Sequence, residues 1–126
     1  MLRWLFVWGP AASLMAVIFA ASSVPHLDTT SSGISDKTLH VWTYGALGAL
    51  LVRALAGAAW TGVTSRVAGL AWVIAVAWGA LDEWHQSIVP GRSLSSRDLV
   101  ADAIGAALAV AVVLLVARRQ GGGRAV

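Results

Sequence analysis

"GALDEWHQSIVPGRSLSSRDLVADAIGA", residues 79–106, decides how this chain folds. Runs of Ala, Val, Leu and Trp flank it, yet it holds four carboxylates, a histidine, a glutamine and two arginines. Pro90-Gly91-Arg92 supplies a turn. Ser95 with Asp98 fits a capping box that opens a helix. The stretch therefore reads as a helix end, a turn and a helix start, with polar groups continuing into both helices.

Outward from this stretch the chain is apolar. Of its 126 residues 58% are hydrophobic and 12% charged, about half the charged fraction of a soluble domain. The apolar residues come in blocks without the periodicity of a half-buried surface. Four blocks approach the roughly 20 residues that cross a bilayer as a helix: 4–23, 39–57, 67–86 and 99–117. The expected architecture is all-α, a polytopic membrane protein whose residues 1–126 form one four-helix transmembrane domain. Arg3, an apolar run and Ala20-Ala21-Ser22-Ser23 have the outline of a cleavable signal peptide. The run is long for a signal core, however, and carries Pro10 in its middle, which favours a retained first helix.

Composition also excludes functions. With no cysteine, disulfides and thiolate metal sites are ruled out. The isoelectric point of about 10.7 accompanies a net charge of only +3, with no basic stripe interleaved with aromatics, so nucleic acid is not an expected partner. The positive-inside rule places both termini in the cytoplasm: Arg3, Arg53, Arg66, Arg118, Arg119 and Arg124 then lie inside, and Lys37, Arg92 and Arg97 outside. In that orientation Asp28, Asp36, Asp82, Glu83, Asp98 and Asp102 all fall on the outer half, as do His26, His40 and His85. A charge near the bilayer centre costs about 2.5–3.5 kcal/mol. Several such residues at one depth on three helices call for a shared polar pocket beneath the outer interface.

Helical spacing assigns the pocket's members. Lys37, His40 and Tyr44 share a stripe of the second helix, with Asp36 beside them as a cap. Gln86 lies within hydrogen-bonding reach of both Asp82 and Glu83. His85, on another face, reads as an interfacial residue. Asp98 and Asp102 stack one turn apart and require a cation. Arg92 is the expected one, its planar fork suiting a carboxylate or a lipid phosphate. Small residues recur every fourth position at Ala12, Ala16 and Ala20, at Ala71, Ala75 and Gly79, at Gly45 and Ala49, and at Ala101, Gly105 and Ala109, which suits close helix packing. Trp4, Trp8 and Trp60 are expected at the inner interface, Trp42 and Trp84 at the outer, and Trp72 and Trp78 in the core.

The blocks "SSVPHLD", "DKTLHVWTYGAL" and "DEWHQSIVPGRSLSSRDLVADAIGA" resemble the signature blocks of VanZ-like membrane proteins. The likeness runs from the end of the first helix through most of the fourth. Position by position it covers Ser22, Ser23, Pro25, Asp36, Lys37, His40, Tyr44, Asp82, Glu83, Gln86, Pro90, Arg92, Asp98, Asp102 and Gly105. Where many relatives are expected to carry asparagine, this chain has Asp102. The resemblance implies an integral membrane protein of the bacterial cell envelope, and the family's namesake is linked to low-level teicoplanin resistance.

Two functions compete at this point. In the first, Glu83, Asp82, His40 and Asp98 are catalytic, while Lys37, Tyr44, Gln86, Arg92 and Asp102 bind an amphiphile, a membrane lipid or lipid-linked cell-wall precursor, with no cofactor and no metal. In the second, the same residues form an ion network that holds a non-enzymatic scaffold or binding module together. A proton-coupled transporter is disfavoured because four helices make a narrow pathway and the inner half offers no ionisable relay, and an ion ligated by His40, Glu83 and Asp98 is a further, less favoured alternative. Homo-oligomerisation stays open.

Overall fold

The computed structural model describes residues 1–25 and 36–122. His26, Asp28 and Arg124 lie outside the described residues. Four helices follow one another: α1 Leu2–Ser22, α2 Asp36–Leu55, α3 Ser65–Ser87 and α4 Ser96–Gly122, with a short 3-10 turn at Trp60–Gly62. There is no strand among the described residues.

Each helix starts two or three residues before the apolar block that marks it. The first turn of a helix favours polar and acidic groups over apolar ones, so Asp36, Lys37 and Asp98 belong to the helices rather than to the loops before them. Thr64 caps α3 by accepting from the Val67 amide at 3.2 Å, and Ser95 Oγ accepts from the Asp98 amide at 3.3 Å at the start of α4. Past the end of α2 the chain reverses through Gly57 and Ala58, both left-handed at φ 65° and 61°.

Three helices, α1, α3 and α4, are long and apolar enough to cross a membrane. The sequence led us to expect four. The second, with 20 residues, has the length, but Asp36, Lys37, His40 and Arg53 lower its hydropathy. It is instead the most enclosed helix, burying Tyr44, Leu47, Gly48, Leu51, Val52 and Ala54.

The core rests on close backbone approach. Leu47, Ala71, Ala75 and Ala106 are wholly buried. A Cβ on Gly105 would collide with the Val41 carbonyl, and one on Gly48 would stand 3.1 Å from the Ala106 carbonyl oxygen, so α2 and α4 touch backbone to backbone. They run parallel, in a register offset of 61 to 62 residues set by Lys37–Asp98 and His40–Asp102. Helix α3 returns antiparallel against both of them, burying Ala71, Ala75 and Gly79. On α1 the packed stripe is Val7, Ala11, Ile18 and Ser22. The small-residue stripe expected there, Ala12, Ala16 and Ala20, faces away from the bundle. Trp72 is likewise not core: it lies on the surface with Nε1 donating to the Ala103 carbonyl at 3.0 Å.

Pro10 shapes the first helix in a less visible way. Lacking an N–H, it leaves the Phe6 carbonyl without its helical donor. Arg53 Nη1 donates to that carbonyl at 3.0 Å and to the Val7 carbonyl at 3.1 Å, while its guanidinium lies 4.6 Å from the Phe6 ring centroid. The start of α1 is thereby pinned to the end of α2.

Candidate functional site

The other end of the bundle gathers the end of α1, the start of α2, the end of α3 and the start of α4. There a cavity of about 600 Å³ opens. Of the residues singled out in the sequence, His40, Tyr44, Asp82, Gln86, Arg92 and Asp98 line it, and Ser22 and Asp36 stand on its wall. Lys37, Glu83 and Asp102 lie behind that lining and act on it through their partners.

The two stacked aspartates of α4 are resolved by α2. Lys37 Nζ reaches Asp98 Oδ1 at 3.0 Å. One turn deeper, His40 Nδ1 donates to Asp102 Oδ1 at 2.7 Å, a carboxylate acceptor assigning the proton to that nitrogen. Asp102 is 1% exposed, and a Cβ on Gly79 would stand 3.0 Å from its Oδ2 and 3.2 Å from the Tyr44 ring. Glycine at position 79 thus makes the room in which Asp102 and Tyr44 sit. The His40 and Tyr44 rings lie parallel, 3° apart, with centroids 6.4 Å from each other.

On α3, Gln86 Nε2 donates to Asp82 Oδ2 at 3.0 Å, as the four-residue spacing implied. Glu83 Oε2 accepts from the backbone amide of Ser95 at 2.7 Å. In a capping box that amide is normally taken by the side chain three residues on. Here Asp98 turns to Lys37, and a carboxylate from the neighbouring helix fills the vacancy, tying α3 to the positive end of α4.

Arg92 departs from expectation. Val89-Pro90-Gly91-Arg92 closes a turn with the Arg92 amide on the Val89 carbonyl at 3.1 Å and Gly91 at φ 83°, which a non-glycine residue would adopt at a cost. Arg92 Nε then donates to the Val24 carbonyl at 3.1 Å. Among the described residues it pairs with no carboxylate, because Lys37 and His40 reach the aspartates first. Arg92 lines the cavity. His85 is a joint between helices: Ser23 Oγ spends its proton on the Phe19 carbonyl at 2.7 Å, so His85 Nε2 donates to that oxygen at 3.0 Å, and its ring stacks on Phe19 at 4.3 Å.

Four buried side-chain polar atoms lack a partner among the described residues: Tyr44 Oη, Trp78 Nε1, Asp82 Oδ1 and Glu83 Oε1. Three of them belong to residues at or beside the cavity. Buried polar atoms without partners each cost about 1–3 kcal/mol, so this end of the bundle carries an uncompensated desolvation cost.

An all-helical bundle with three helices long and apolar enough to cross a membrane fits a polytopic membrane protein, and it carries a polar cavity at one end. The VanZ/LLP1 family model matches residues 7–117, and the chain belongs to that family. No curated protein and no solved structure matches it.

Proposed function

We propose that this VanZ-like protein resides in the bacterial plasma membrane with both termini cytoplasmic. In this orientation its cavity opens just under the outer leaflet and takes the polar head of an amphiphile, a membrane lipid or lipid-linked cell-wall precursor. The observation that supports the reading is the cavity itself: its lining joins Arg92 with Asp82 and Tyr44, and among the described residues Arg92 meets no carboxylate and the Asp82 Oδ1 and Tyr44 hydroxyl meet no partner. Arg92 is suited to a phosphate oxygen, Tyr44 to a hydroxyl or phosphate, and Asp82 to an N–H or O–H donor. Where the ligand is also turned over, Asp82, whose Oδ1 has no partner among the described residues, is the base, and His40, held from behind by Asp102, is the partner that orients the ligand.

A second reading rests on a different observation. Lys37–Asp98, His40–Asp102 and Glu83–Ser95 each join two helices, so the network serves as a scaffold's fastening as well. One experiment separates the readings. Lipids co-purifying with wild type and with Arg92→Ala are identified by mass spectrometry, and both proteins are melted in detergent. Ligand binding is supported by an enriched anionic amphiphile that Arg92→Ala loses at an unchanged melting temperature. Identical lipid profiles leave the scaffold reading. The teicoplanin link of the family is examined by expressing both forms in a susceptible host, where Arg92→Ala is expected to remove any protection the wild type confers.

A further inference from the structure

The cavity's surroundings are acidic. Asp36, Asp82, Glu83, Asp98 and Asp102 face two permanent cations, Lys37 and Arg92. An anionic headgroup alone would meet net repulsion there, whereas a bound cation would remove it. One donor atom from each of Asp36, His40 and Asp98 lies within 4.8 Å of the others, and all three residues line the cavity. Donors about an ion at roughly 2.1 Å stand about 3.4 Å apart in tetrahedral geometry. Reaching that spacing takes a closure of up to about 1.4 Å, shared between the exposed Asp36 side chain and those of His40 and Asp98.

Two further features point to a ligand at this place. Asp82, 5% exposed and lining the same cavity, has Oδ1 without a partner among the described residues. His40 has Nδ1 engaged by a buried carboxylate, the arrangement that fixes a metal-ligating imidazole and presents its second nitrogen to the ion. Lys37 reaches only Oδ1 of Asp98, and the carboxylate has a second oxygen to offer.

We infer that Asp36, His40 and Asp98 bind one divalent cation of borderline hardness, Mn²⁺ or Zn²⁺, with Asp102 as the positioning residue behind His40. Three protein ligands leave coordination positions open toward the cavity, where a phosphate oxygen of the amphiphile would complete the shell. The inference deepens the proposed function by naming what offsets the carboxylates, but ion binding is measurable with no amphiphile present, so either can fail alone.

The test uses the full chain, stripped of metal in a maltoside detergent and titrated with Mn²⁺, free ion being counted by electron paramagnetic resonance and Zn²⁺ added as competitor. The expected result is one saturable site per chain, displaced by Zn²⁺. His40→Gln and Asp36→Asn should abolish it, Asp36→Asn without a change in metal-free melting temperature because that side chain is exposed. Asp102→Asn should weaken it about 10- to 100-fold, as loss of an orienting carboxylate does. Lys37→Ala, which frees Asp98, should tighten it. No saturable site, or a site indifferent to both Asp36→Asn and His40→Gln, would overturn the inference.

Discussion

At the scale of single residues, the acids of residues 79–106 hold separate posts. Asp98 meets Lys37, Asp102 meets His40, Asp82 meets Gln86, and Glu83 meets the Ser95 amide. The last of these could not be read from side-chain spacing, since a backbone amide on the next helix is invisible to it. Asp102, the position at which relatives are expected to carry asparagine, shows what the site asks for: an oxygen that accepts from His40 Nδ1. Asp102→Ala should therefore cost about 1–3 kcal/mol by stranding a buried donor, whereas Asp102→Asn should retain most of the stability. Thermal unfolding of the three proteins in detergent measures the difference.

Among the helices, the sequence was most informative where one helix speaks for itself. The stripe Lys37, His40 and Tyr44 and the pair Asp98 and Asp102 were legible because spacings of three and four are fixed by helix geometry. Which stripe meets which was not legible, because the register between α2 and α4 follows from Gly48, Gly105 and their contacts, not from either helix alone. For the same reason Arg92 was matched to aspartates that Lys37 and His40 hold, and α1 was assigned the wrong packing face among several equally small ones. The Pro10–Arg53 link belongs to this scale. Arg53→Met should destabilise by about 1–3 kcal/mol, since the Phe6 carbonyl, already without a helical donor, loses its remaining one. In a Pro10→Ala background, which restores the helical donor to Phe6, the same change should cost measurably less. A double-mutant cycle of melting free energies reads this coupling, and additive effects would rule it out.

For the whole molecule, the absence of cysteine makes the proposed orientation directly measurable. Ser93→Cys, beside the cavity, should react with a membrane-impermeant maleimide on intact cells, while Thr61→Cys, at the opposite end, should react only after permeabilisation. The reverse pattern would place the cavity on the cytoplasmic side. The parallel pairing of α2 with α4 also bears on how such a protein is made. The partners of Lys37 and His40 lie 61 and 62 residues downstream, on α4, which is synthesised after α2 and α3. Until α4 arrives, the nascent second helix carries an ammonium and an imidazole without the two carboxylates that hold them in the fold, so its polar face is matched only once the fourth helix is in place.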